Sequence, residues 1–150
     1  MCILGLLQHL QQAYGQGDCL KGRVGIITPY KAQVRLLKST LSPYLHRLGL
    51  KAPGDLEVNT VDAYQGREKD IIVISCVRSN PQGSLGFLTD HRRMNVAITR
   101  ARHCLFVVGN SATLEKDSVW KAFIDHSKPA GYKCFGPVEN WRKTIGDSFC

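Results

Sequence analysis

Apolar positions along most of the chain switch repeatedly between helical spacing and short unbroken runs. Ile3, Leu6, Leu7, Leu10 and Ala13 recur at the helical period until Gly15-Gln16-Gly17-Asp18 interrupts them. Val24-Gly25-Ile26-Ile27-Thr28 predicts a short strand between Arg23 and Pro29. Residues 32–48 return to helical spacing, with Val34, Leu37, Leu41 and Leu45 on one side and a bend expected at Pro43. A turn at 51–55 leads to a second strand at 56–61, and a third follows at 71–77, apolar on both faces apart from Ser75. Residues 90–102 predict a helix capped by Asp90 or Thr89. A fourth strand at 104–108 is ended by Gly109-Asn110, 117–126 predicts a last helix, and 131 onward is loosely patterned.

Strands that are apolar throughout, rather than alternating, belong to sheets covered on both faces. Their alternation with helices predicts a parallel α/β sheet with right-handed crossovers. In such sheets ligands gather beyond the C-terminal ends of the strands. That directs attention to Thr28-Pro29-Tyr30, to residues 62–70 and 78–80, and to Gly109-Asn110. The organisation predicted is a helical segment at 1–20, one α/β domain at 21–135 and a tail at 136–150.

The chain has 150 residues, enough for one domain with a sizeable core. Its 20 Lys and Arg against 12 Asp and Glu leave a net charge of +8, which points to an anionic partner. No apolar run nears the ~18 residues of a membrane span. The start has no basic leader and too short an apolar stretch for a signal peptide. The six cysteines are scattered, with no zinc-ligand spacing, so reduced thiols and no metal site are expected. The five histidines share no spacing either.

A phosphate-cradling G-x-x-x-x-G-K-[ST] loop is missing from the sequence; the nearest approach, Gly17 to Gly22, is followed by Arg23-Val24 and precedes a strand. There is no G-x-G-x-x-G, no G-x-S-x-G and no strand ending in a paired Asp-Glu. The chain by itself is therefore not expected to hydrolyse a nucleotide.

Three segments, 28–33, 59–70 and 90–102, are nonetheless dense in polar groups. Gly25-Ile26-Ile27-Thr28-Pro29-Tyr30-Lys31-Ala32-Gln33 turns from strand into helix. Thr60-Val61-Asp62-Ala63-Tyr64-Gln65-Gly66-Arg67-Glu68-Lys69-Asp70 leads into the third strand, with Ser75-Cys76-Val77-Arg78-Ser79-Asn80 beyond it. Gly86-Phe87-Leu88 then precedes Arg92-Arg93-Met94-Asn95-Val96-Ala97-Ile98-Thr99-Arg100-Ala101-Arg102. On a helical wheel Met94, Ala97, Ile98 and Ala101 form the buried stripe, with Arg93 and Arg100 on one flank and Asn95 and Arg102 on the other.

In this order and spacing, over about residues 22–127, these strings resemble motifs IV, V and VI of superfamily 1 helicases. The similarity is to the branch that includes senataxin and the nonsense-mediated-decay helicases. The resemblance implies a RecA-like fold, a mostly parallel sheet flanked by helices, and only the second of two motor domains. In that family ATP lies between the two domains. Carried over, Arg100 becomes the arginine finger on the γ-phosphate, Gly66 and Glu68 lie along the phosphates and ribose with Gln65 nearby, and Arg93 is a further nucleotide contact reaching phosphate. Thr28, Pro29, Tyr30 and Thr60, at strand ends, together with Arg78 and Asn80, become contacts to the backbone of single-stranded RNA or DNA.

Mg²⁺ would be held mainly by the first RecA-like domain, a partner in cis or in trans. The family's linking motif, Tyr-Arg followed by Met-His, is not seen upstream, so a piece of a longer enzyme is expected. Its location would be nuclear or cytoplasmic, with no membrane. From residue type alone other readings stay open: Arg100 as a solvated arginine, Arg93 and Glu68 as partners of neighbouring charges, and Asp62 as a turn cap. The alternative function is a non-catalytic module, derived from a helicase half, that binds nucleic acid or a partner.

Overall fold

The computed structural model describes residues 2–14, 18–52, 54–77 and 85–127. In chain order it contains α1 (Cys2–Tyr14), β1 (Val24–Thr28), α2 (Lys31–Leu45), β2 (Leu56–Thr60), β3 (Lys69–Ser75), α3 (His91–Ile98), β4 (Ala101–Val108), α4 (Ser111–Leu114) and α5 (Ser118–Ser127). The strands form one sheet in the order β2-β1-β3-β4, and every neighbouring pair is parallel. This is a RecA-like α/β arrangement.

Burial follows position in the sheet. All five residues of central β1 are buried, as is β3 from Ile71 to Ser75. On the two edges only Val58 of β2 is buried, and β4 has no buried residue. One face is covered by α1 and α2, whose Leu6, Leu7, Leu10, Leu37 and Leu41 pack with Val24, Ile26 and Val73. The other is covered by α3, α5 and the 3-10 turn Asp62–Tyr64, through Tyr64, Met94, Ala97 and Trp120 against Ile27, Ile72 and Ile74. The first helix thus contributes to the core around β1, and its Leu4 is buried while Ala13 is exposed.

Local chemistry sets the element ends. Pro43 lies inside α2, where it lacks the N–H of the helical ladder, and the helix gives way two residues later to a 3-10 turn over His46–Leu48. Gly49 closes that turn at φ 72°, left-handed backbone that glycine adopts without steric penalty. Asp90 caps α3 by accepting from the backbone N–H groups of Arg92 and Arg93. The hydroxyl of Tyr64 stands where a side chain on Gly25 would begin, so only glycine fits there under the crossover from β2 to β3.

One predicted element needs correction. The helix expected over 90–102 ends at Ile98, and Ala101 and Arg102 belong to β4, which begins three residues earlier than predicted. Three hydrogen bonds stop it. Thr99 turns its hydroxyl back onto the carbonyls of Asn95 and Val96, and the Arg100 carbonyl is taken by the backbone N–H of Lys69 in β3. The wheel that set Arg102 opposite Arg93 and Arg100 therefore does not apply. Met94 and Ala97 are buried as expected, and Ala101 packs against the same core from the strand.

Candidate functional site

The residues singled out in the sequence fall at two opposite edges of the sheet. Because all strands run the same way, each edge is defined by strand starts or by strand ends, roughly 15–20 Å apart for strands of this length.

At the starting edge, Gln65, Gly66 and Glu68 lead into β3 and Arg100 leads into β4. The Lys69 N–H to Arg100 carbonyl bond, 3.1 Å, ties these two approaches together. Gly66 sits at φ 74° with open space where a Cβ would project, and both it and Gln65 are exposed. Its left-handed backbone admits an L side chain only with strain, which leaves a bare peptide facing solvent. Glu68 accepts from Arg102 Nε at 3.4 Å, across the β3–β4 seam. Arg100 is half-buried; its Nε donates to the Val96 carbonyl and its Nη2 to Thr99 Oγ1, both at 2.9 Å.

A charged lattice surrounds them. Glu57 on β2 accepts from Arg67 and lies 3.6 Å from Lys69 Nζ, which also donates to the Gly22 carbonyl at 2.8 Å. Asp70 faces Arg23 at 3.6 Å, with Arg102 and His103 each at 4.0 Å. The acids at this edge are thus shared among basic side chains, so the edge as a whole stays cationic and suited to an anion.

At the ending edge, Thr28 and Thr60 pair in register on β1 and β2. Thr60 Oγ1 accepts from the Ala63 N–H at 3.4 Å, beginning the turn into the crossover. Pro29 and Tyr30 are partly exposed, and the Tyr30 ring meets Phe87 edge-on with centroids 5.6 Å apart. Thr28 is a correction: it is fully enclosed, with no partner for Oγ1 among the described residues, and offers no surface to a phosphate in this conformation. Arg78 and Asn80 lie outside the described residues.

Arg93 is placed at this second edge, not beside Arg100. Its Nε and Nη2 grip both oxygens of Asp62 at 3.1 and 3.2 Å, and its guanidinium carbon lies 5.5 Å from the centre of the Phe87 ring. Seven steps along helix and turn carry the chain from it to Arg100, roughly 10 Å at the helical rise. Asp62 accordingly serves through its side chain as the partner of Arg93, while its carbonyl accepts from Gln65 N–H at 3.3 Å.

Residues 62–70, singled out as lying beyond the end of a strand, therefore divide between the two edges. The segment after β2 is a short crossover that carries the chain back across the sheet, so Gly66 and Glu68 emerge at the start of β3. The helix predicted over 90–102 hides Thr99 and Arg102 as neighbours of Arg100 and Glu68, because α3 ends at Ile98. No group of three or more His, Cys, Asp or Glu suited to a metal occurs among the described residues, and no helix there is long and apolar enough to cross a membrane.

Residues 1–112 match the family model described as an AAA domain. Among curated relatives, "Regulator of nonsense transcripts 1" of Dictyostelium discoideum is 43% identical over 125 residues, 83% of this chain and 9% of that protein. "Helicase sen1" of Schizosaccharomyces pombe is 43% identical over 104 residues, 69% of this chain and 6% of the relative. "ATP-dependent helicase upf1" of the same yeast is 40% identical over 132 residues, 85% of this chain and 14% of the relative. The chain thus spans less than a sixth of each of these relatives. It belongs to the AAA domain family, in the form that matches the C-terminal region of superfamily 1 helicases of the branch containing senataxin and the nonsense-mediated-decay helicases.

Proposed function

We propose that the chain is the second motor domain of an ATP-dependent RNA or DNA helicase, with its two sheet edges dividing the work. The observation that carries this reading is the meeting of Gly66, Glu68 and Arg100 at the adjoining starts of β3 and β4, at a cationic edge. The starting edge faces the triphosphate of ATP held against a first RecA-like domain; the ending edge, through Pro29, Tyr30 and Thr60, faces the backbone of single-stranded nucleic acid. The domain organisation, a segment at 1–20 ahead of a motor domain at 21–135 and a tail, belongs to the same proposal, as does a nuclear or cytoplasmic location.

Each role follows from the chemistry of the group. The transition state of phosphoryl transfer spreads negative charge over the γ-oxygens, and a planar guanidinium brought up by domain closure stabilises it; such fingers contribute about 10³–10⁵ in rate. Gly66 presents a peptide with no side chain in the way of a phosphate. Glu68, on exchanging Arg102 for a ribose hydroxyl, accepts a hydrogen bond there. Gln65 lies within the same approach as a further polar contact. Arg93, committed to Asp62 and Phe87, serves the ending edge in this reading. The acids here are engaged by basic side chains and do not converge as a cation cage, so Mg²⁺ is assigned to the first domain and no step here runs through it.

The test is nucleic-acid-stimulated ATP turnover of the full-length protein. Arg100→Ala is expected to lower kcat by roughly 10³-fold with little change in KM, because the finger acts on charge that develops in the transition state. Arg100→Lys is expected to rescue little, since an ammonium lacks the planar fork. Unchanged turnover in Arg100→Ala overturns the proposal. The isolated 150-residue chain is expected to show no turnover at all; nucleic-acid-stimulated turnover by it, lost in Arg100→Ala, would likewise count against this account.

A further inference from the structure

We propose that Thr99 is a positioning residue for Arg100: its hydroxyl, with the Val96 carbonyl, clamps one side of the guanidinium and leaves the other side as a fork for the γ-phosphoryl group. This rests on the reading of Arg100 as the finger, and deepens it.

The clamp is a product of the early end of α3. Had the helix run on to 102, the Val96 carbonyl would have accepted from the backbone N–H of Arg100. Instead that N–H turns to the Ala97 carbonyl at 3.4 Å, and the Val96 carbonyl receives the side-chain Nε at 2.9 Å. The Thr99 hydroxyl has a single proton, which it directs to the Asn95 carbonyl at 2.9 Å and the Val96 carbonyl at 3.2 Å. Its oxygen is left to accept, and Arg100 Nη2 donates to it at 2.9 Å. One hydroxyl thereby links the helix end to the guanidinium.

The donor count shows what remains. A guanidinium carries five N–H donors in a fixed plane. Nε–H and one Nη2–H are used on the clamped side. The second Nη2–H and both Nη1–H have no partner among the described residues. Of these, the second Nη2–H and the Nη1–H beside it are the pair that meets two oxygens of a phosphoryl group in a parallel fork. The backbone of Arg100 is fixed as well, through its carbonyl on Lys69 N–H. The guanidinium is thus oriented before the substrate arrives, so less ordering is left to the transition state.

If Thr99 served only to end the helix, its loss would affect stability alone. If it positions Arg100, its loss lowers kcat while KM for ATP holds. The experiment compares Thr99→Val, Thr99→Ser and Arg100→Ala in nucleic-acid-stimulated turnover by the full-length protein. It adds ¹⁵N-detected rotation of the Arg100 guanidinium about Nε–Cζ in the 150-residue chain.

The expected result is a collapse of kcat in Arg100→Ala, a loss of roughly 10-fold in kcat at unchanged KM in Thr99→Val, and recovery in Thr99→Ser. Guanidinium rotation should be faster in Thr99→Val and close to the parent in Thr99→Ser. If Arg100→Ala collapses turnover while Thr99→Val matches the parent, or Thr99→Ser is as slow as Thr99→Val, the clamp is overturned and the finger stands. If Arg100→Ala leaves turnover intact, the finger reading falls and the clamp with it.

Discussion

Single residues carry more of the architecture than their size implies, and Gly25 shows how. It is the second residue of a buried strand, an unfavourable place for glycine on propensity alone. The Tyr64 ring lies across it, with the hydroxyl 3.4 Å from the Glu57 carbonyl. Burial and the nearby Glu57 carboxylate push the Tyr64 phenol well above its ordinary range, only partly opposed by Arg67, so the hydroxyl stays protonated as a donor. Gly25→Ala is expected to destabilise the fold by about 1–3 kcal/mol, the usual range for overpacking. Removing the hydroxyl as well, in Gly25→Ala with Tyr64→Phe, should recover part of that loss. Urea denaturation checks both; additive losses would show that the Tyr64 hydroxyl is not the obstacle. The sequence string alone marks Gly25 as part of a strand and says nothing of Tyr64, because the contact closes over 38 intervening positions of chain.

Helix ends divide the elements into those that periodicity reveals and those it does not. Asp90 was legible as the cap of α3 because a short acceptor side chain ahead of an apolar stripe has one local use. Asp90→Ala should lower stability by about 1 kcal/mol, read from the shift of the urea midpoint. The other end of α3 was hidden, since the stripe of Met94, Ala97, Ile98 and Ala101 continues at helical spacing across the turn. What ends the helix is the Thr99 hydroxyl turning back onto Asn95 and Val96 together with the pairing of Arg100 with β3, the latter a tertiary demand.

At α5 the equivalent cap is Asp117, which accepts from the N–H groups of Val119 and Trp120 and lies 3.1 Å from His91 Nε2. Burial alone would raise its carboxyl, but the bonds from Trp120, His91 and Val119 outweigh this and hold it below its ordinary 3.8. A carboxyl lowered on folding contributes stability above its unfolded value and loses it as pH falls through the folded one. Stability should therefore drop on acidification below about pH 4. Asp117→Asn, which can still accept at the cap, should make that drop shallower. An identical acid profile in the variant would contradict the assignment.

At the scale of the whole molecule, the alternation of helix and strand was sufficient to foresee a parallel sheet. It was not sufficient to foresee which edge each motif reaches. Runs such as Val24 to Thr28 and Ile71 to Ser75 are apolar because both sheet faces are covered, and that pattern survives in sequence. The division of the central motif between Thr60 at one edge and Gly66 and Glu68 at the other depends on how eight residues cross the sheet, which no period encodes. With a net charge of +8, the chain should bind single strands with little sequence preference and with an affinity that falls steeply as salt is raised, because binding releases condensed counterions. Fluorescence anisotropy across a salt series would show this, and a flat series would contradict it.

The division of labour between the two edges is tested most directly by mapping where a single strand touches the chain. Backbone ¹⁵N spectra of the 150-residue chain, titrated with a short single-stranded oligonucleotide, should move the signals of Tyr30 and Thr60 and leave those of Gly66, Glu68 and Arg100 in place. Movement centred on Gly66 and Arg100, with Tyr30 and Thr60 unchanged, would contradict it.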